Sequence, residues 1–152
     1  MENAKTEELL CEIYRNLRMG SENLCTVTPQ VHDKFMLKDI TGQLENYSAL
    51  SEQCAAMMHG ISVTPREPSA MKKMMARGGI MMNTMFDRSE RHIADMIVRG
   101  TNMGADTLER TMNECCAVGC SDGAASFCRD VIEFERRAAD SMVEYTAPDR
   151  IN

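Results

Sequence analysis

The sequence predicts an all-α protein, an antiparallel up-down-up-down four-helix bundle with a Met-rich helical insert before the third long helix. Three observations lead there. Apolar residues recur at three- and four-residue steps over four long segments, the period of a helix with one buried face. Aromatic residues make up only 5% with no Trp, while Met reaches 15, so the core is built from aliphatic and thioether side chains, not the aromatic and β-branched residues of a β-sandwich. Turns rich in Pro or Gly separate the segments. At 152 residues the chain reads as one domain, with a first hairpin over about 5–61, a loop over 62–68 and a second hairpin over about 69–146.

The first helix is expected from about Lys5 to Val27, where Leu10, Ile13, Leu17, Leu24 and Val27 share a stripe and Gly20 fills the remaining seam position. Pro29 closes it. The second begins near Gln30 to Asp33 and carries Leu37, Ile40, Leu44, Tyr47, Cys54, Met58 and Ile61, with Gly60 as its stop. Pro65 and Pro68 mark a loop, because each disfavours helix in the residue before it. Ser69 then caps a short helix over Ala70 to Arg77, and Gly78-Gly79 breaks it. The third long helix places Ile93, Ile97, Gly100, Gly104, Leu108 and Cys115 on one face, where the two glycines leave a smooth strip for a close neighbour. After a turn over Gly119 to Gly123, capped by Ser121 or Asp122, the last helix runs from about Ala124 to Tyr145 with a broad apolar face.

A formal net charge of -6 argues against a general nucleic-acid binder, since phosphate recognition depends on clustered Lys and Arg. The opening Met1-Glu2-Asn3-Ala4-Lys5 is polar and acidic, unlike a targeting segment, and charges interrupt every apolar stretch, so no membrane span and a cytoplasmic location are expected. Seven cysteines at irregular spacing read as reduced, mostly buried thiols and not as a disulfide framework.

Tyr14-Arg15-Asn16-Leu17-Arg18-Met19-Gly20, Gln43-Leu44-Glu45-Asn46-Tyr47 and His92-Ile93-Ala94-Asp95-Met96-Ile97-Val98-Arg99-Gly100-Thr101-Asn102-Met103-Gly104 together resemble uncharacterised small Firmicutes proteins of ferritin-like shape. The resemblance spans most of the chain. It implies a ferritin-like four-helix bundle and no particular activity.

A ferritin-like di-metal centre needs inward carboxylates on all four helices and a Glu-x-x-His pair on two of them. His32, His59 and His92 each lack a Glu three residues upstream, and only Glu90 and Glu135 project near a core stripe. The metal alternative therefore rests on Glu90, Glu135 and His92, with iron, manganese or zinc as the ion; the leading expectation is no cofactor and no catalysis. Cys115, Cys116, Cys120 and Cys128 gather near one turn, where thiols can act in redox chemistry or bind zinc, although a packing role fits buried cysteines better. Cys120, in the turn itself, is the one suspected of reactivity. Met71, Met74, Met75, Met81, Met82 and Met85 form a third candidate, an adaptable surface for a peptide or a small apolar ligand, against plain core filling. The function expected is structural or partner-binding, as a homodimer through Met and Gly faces or with another protein.

Overall fold

The computed structural model describes residues 2–67 and 89–147, and every regular element among them is helical. Helix α1 runs Glu2–Val27, α2 Lys34–Gly60, α3 Glu90–Val118 and α4 Asp122–Val143; single 3-10 turns follow α1 at Thr28–Gln30 and α4 at Glu144–Thr146. The Met-rich insert expected over 69–88, with Met71, Met74, Met75, Met81, Met82 and Met85, lies outside the described residues. Among the described residues no helix is long and apolar enough to cross a membrane.

Side-chain caps set three of the helix starts. The Asp33 carboxylate accepts from the backbone N–H groups of Phe35 and Met36 at 2.8 and 3.1 Å, satisfying donors that have no partner inside α2. Ser89 caps α3 through His92 N–H at 3.2 Å, and Ser121 caps α4 through Ala124 N–H at 3.1 Å. Pro29 falls within the 3-10 turn, so α2 starts after Asp33 and not as early as Gln30.

The helix directions correct the up-down-up-down expectation. Cys54 at 3.4 Å from the Leu10 carbonyl and Tyr47 against Gly20 make α1 and α2 antiparallel. Arg136 on the Asn102 carbonyl, with Cys128 on the Leu108 carbonyl, makes α3 and α4 antiparallel. Ser121 N–H donates to Thr6 Oγ1 at 2.8 Å and Asn16 meets Glu135, so α4 runs with α1. Helix α3 therefore runs with α2: its first residue, Glu90, accepts from the backbone N–H groups of His32 and Asp33, just ahead of α2. The order is up-down-down-up, and Gly60 and Ser89 lie at opposite ends of the helices. Periodicity along a helix carries no information about which end meets which, so the expectation failed there.

Helix α1 packs on α2 and α3, and α3 packs on α4, around one core. Leu9, Ile13, Leu17, Met36, Ile40, Met58, Ile93, Leu108 and Met142 are fully buried within it. The stripes anticipated for α1, α3 and α4 face inward, and Glu135 sits among them at 1% exposure.

The glycines do two different things. A Cβ at Gly20 would stand 2.7 Å from the Tyr47 ring, and one at Gly104 would stand 2.6 Å from Asn16 Oδ1, so both permit close approach. Gly100, one turn before Gly104, faces open space with no atom within 4 Å. The smooth strip expected on α3 is thus closed at one end and open at the other. Gly20→Ala should lower stability in urea titrations by ~1–3 kcal/mol, because the Tyr47 ring must move. Gly100→Ala should raise it by up to ~1 kcal/mol through helix propensity. Equal effects at the two positions would contradict this packing.

Candidate functional site

One side chain or close backbone approach from each helix meets at mid-length. Glu135 of α4 accepts from Asn16 Nδ2 of α1 at 2.5 Å on one oxygen and from the Tyr47 hydroxyl of α2 at 3.0 Å on the other. Thr101 of α3 reaches the same phenol, and Gly104 brings the α3 backbone against Asn16 and Glu135. The Tyr47 ring is fixed edge-on against Phe134, with centroids 4.9 Å apart.

Among the described residues the carboxyl is held by neutral donors only. Burial pushes Glu135 up to about 7, against the hydrogen bonds from Asn16 and Tyr47 and the positive charge of Arg136, which pull the other way. Arg136 itself turns outward, to Asp106 at 2.5 Å and the Asn102 side-chain oxygen at 3.2 Å. Burial, followed by the neighbouring Glu135 charge, raises the Tyr47 phenol well above its usual range.

A cavity of about 960 Å³ opens between α1 and α3 and reaches Glu135, Tyr47 and Asn16. Met19, Leu24, Val27, Met96 and Ile97 line its walls, and the exposed Arg99, Gly100 and Met103 stand among its lining residues. Gly100 places no side chain in it. The charged residues beside it are engaged, Arg15 with Glu12 and Arg99 with Asp95, as partly exposed pairs of small energetic weight.

The proposed metal set does not converge. Glu90 occupies the first turn of α3 on the His32 and Asp33 backbone, whereas Glu135 lies beside Gly104, fourteen residues and roughly 21 Å further along. His92 lines the cavity, two residues into the same helix and far from Glu135. Among the described residues no three His, Cys, Asp or Glu side chains lie together as a metal would require. The four cysteines of the α3–α4 turn also divide: Cys115 and Cys128 are buried in the core, burial pushing Cys128 up to about 12, while Cys116 is exposed and Cys120 half-buried. All seven cysteines are unbridged, with three of them fully buried.

Compared with known proteins, the chain matches no known family, no curated protein and no solved structure.

Sequence reasoning identified Glu135 and placed Tyr47 and Gly20 on the seam, but missed Asn16, Thr101 and the methionines Met19, Met96 and Met103. Gly100 on the strip of α3 was the available signal for the cavity. The wall methionines carried none, since Met is as common in cores as in pockets.

The raised carboxyl makes stability depend on pH. Glu135 takes up its proton more readily folded than unfolded, where its value is near 4.5, so its contribution is fully present below that and lost as pH rises through about 7. For a group at 1% exposure the loss should reach up to ~3 kcal/mol. Glu135→Gln should flatten urea-unfolding stability between pH 5 and 8 and leave the variant more stable than the parent at pH 8. An unchanged pH profile in the variant would remove Glu135 as its source.

Proposed function

We propose that the protein is a non-catalytic, ferritin-like four-helix bundle that binds a small molecule with an apolar body and a cationic amine in the groove between α1 and α3. The observation that carries this is Glu135 at the inner end of that groove: a buried carboxyl whose hydrogen-bond partners among the described residues are neutral. An ionised carboxylate is costly at such a depth, and an ammonium group brought by a ligand offsets that cost where the described residues supply no cation in contact. The methionine and aliphatic walls suit a flexible apolar body, because thioethers adapt to the shape they enclose. The volume, about 960 Å³, is at the large end of the range typical of small-molecule sites.

The ferritin-like reading, and with it the likeness to Firmicutes proteins of that shape, draws support from two features. Both hairpins are antiparallel with α2 and α3 starting at one end, and side chains of all four helices converge at mid-length. Where a di-metal centre would need a carboxylate from each helix, the described residues bring a single carboxyl held by an amide and a phenol, with the Thr101 hydroxyl on the phenol. That donor set offers a counter-charge and hydrogen bonds and no paired acid and base. This reading gives the apolar-binding role to Met19, Met96 and Met103, which line the groove.

A second reading, a second copy or other protein laid along the groove, is favoured by Met103, which is 68% exposed beside Gly100 and Gly104. One set of measurements separates the two. Decylamine, decanol and decanoate share a chain and differ in head group; decylamine should raise the melting temperature most at pH 8 and lose its advantage as pH falls below about 7 and Glu135 becomes neutral. Gly100→Phe, which fills the groove, should weaken decylamine binding at least ~10-fold, or ~1.4 kcal/mol, with helicity unchanged. Decanoate binding as tightly as decylamine would overturn the amine assignment, and a concentration-dependent dimer abolished by Gly100→Phe would promote the second reading.

A further inference from the structure

At the far end of the molecule from the start of α3, the turn into α4 holds two thiols in contact. Cys116 Sγ and Cys120 Sγ are 3.0 Å apart, closer than sulfurs pack without sharing a proton or a bond. Their approach is set by the backbone. Gly119 ends α3 with φ +126°, a conformation natural to glycine, and its N–H returns to the Cys115 carbonyl at 2.9 Å. Ser121, the next residue after Cys120, caps α4 with its side chain and donates its N–H to Thr6 Oγ1 at 2.8 Å. Both sides of the pair are thus anchored, and closing to the ~2.05 Å of a disulfide takes only a small movement of the sulfurs.

We propose that Cys116 and Cys120 form a redox-active dithiol that closes to an intramolecular disulfide by exchange with small-molecule disulfides and reopens with small thiols. The exposed Cys116 is the entry point. Its thiolate attacks one sulfur of the small disulfide, the S–S bond breaks, and one small thiolate leaves, giving a mixed disulfide on Cys116. The Cys120 thiol then gives its proton to water and attacks the Cys116 sulfur, expelling the second small thiolate. Two protein thiols become one disulfide, and the small disulfide, accepting two electrons and two protons, becomes two thiols.

The other cysteines of the turn are poor competitors. Cys115 is 1% exposed and Cys128 fully buried, and burial raises both thiols, which disfavours their thiolates. Cys120 is itself raised to about 11 by burial and its hydrogen bond with Cys116, which suits the group that resolves a mixed disulfide over the one that starts it. A metal role suits the pair less well, because no third His, Cys, Asp or Glu stands with the two sulfurs among the described residues. The inference is independent of the groove and its ligand.

The test uses the full chain, reduced, desalted and exposed to glutathione disulfide, then alkylated and analysed by mass. Expected is the loss of two of the seven titratable thiols, without glutathione attached, and a Cys116–Cys120 link in the fragment spectra. The oxidised fraction should follow the ratio of glutathione disulfide to glutathione and return to zero in excess glutathione. Cys120→Ser should trap a stable glutathione adduct on Cys116, and Cys116→Ser should react at least tenfold more slowly. Stable glutathionylation of Cys116 in the unsubstituted protein, a bridge to Cys115 or Cys128, or only dimers linked between chains would each overturn the proposal.

Discussion

The hydrogen bonds from Asn16 and Tyr47 to Glu135 join α1 and α2 to α4 at mid-length, and much of the molecule is arranged around them. Gly104 has no side chain because Asn16 and Glu135 occupy its space, and Gly20 has none because the Tyr47 ring does. The aromatic contact with Phe134 holds the phenol in line with the carboxyl. Each feature is modest by itself, a net hydrogen bond contributing about 1 kcal/mol. Together they fix the mutual rotation of the helices, since turning any one of them breaks a bond at the centre.

The same arrangement leaves the centre incomplete. Gly104 is needed for close packing, while Gly100, one turn earlier, stands on an open face, and a cavity opens beside the buried carboxyl. The protein holds Glu135 with donors too weak to keep it fully ionised at neutral pH. A group balanced in this way responds to what enters the cavity far more than a firmly ion-paired carboxylate would, because either protonation or a bound cation relieves it.

Much of the fold was legible in the residues, and what was not has a common physical origin. The inward stripes of α1, α3 and α4, the Ser121 cap and the turn at Gly119 follow from local spacing and local hydrogen bonding, which sequence records. Glu135 was legible for the same reason, as a carboxyl on an apolar face. Its partners were not: Asn16 sits at the edge of its stripe and Thr101 on the groove side of α3, and their significance arises only when four helices meet. Glu90 shows the limit most clearly. Its place near a core stripe suggested a ligand, but it binds the backbone of His32 and Asp33, a contact that no periodicity encodes and that decides the direction of α3 relative to α2.

The span of the central contacts also bears on how the chain is made. Asn16 and Glu135 are 119 residues apart, and Thr6 and Ser121 are 115 apart. During synthesis from the amino terminus, α1 and α2 emerge long before the residue that their polar side chains are shaped to meet. Until α4 leaves the ribosome, the donors of Asn16 and Tyr47 lack the carboxyl that they meet in the folded protein and are satisfied by water. Contacts of such long sequence separation slow the final docking relative to a pair of independently closing hairpins. Helix α4 therefore acts as the keystone of assembly: it seals the interior and is translated after the helices that it joins.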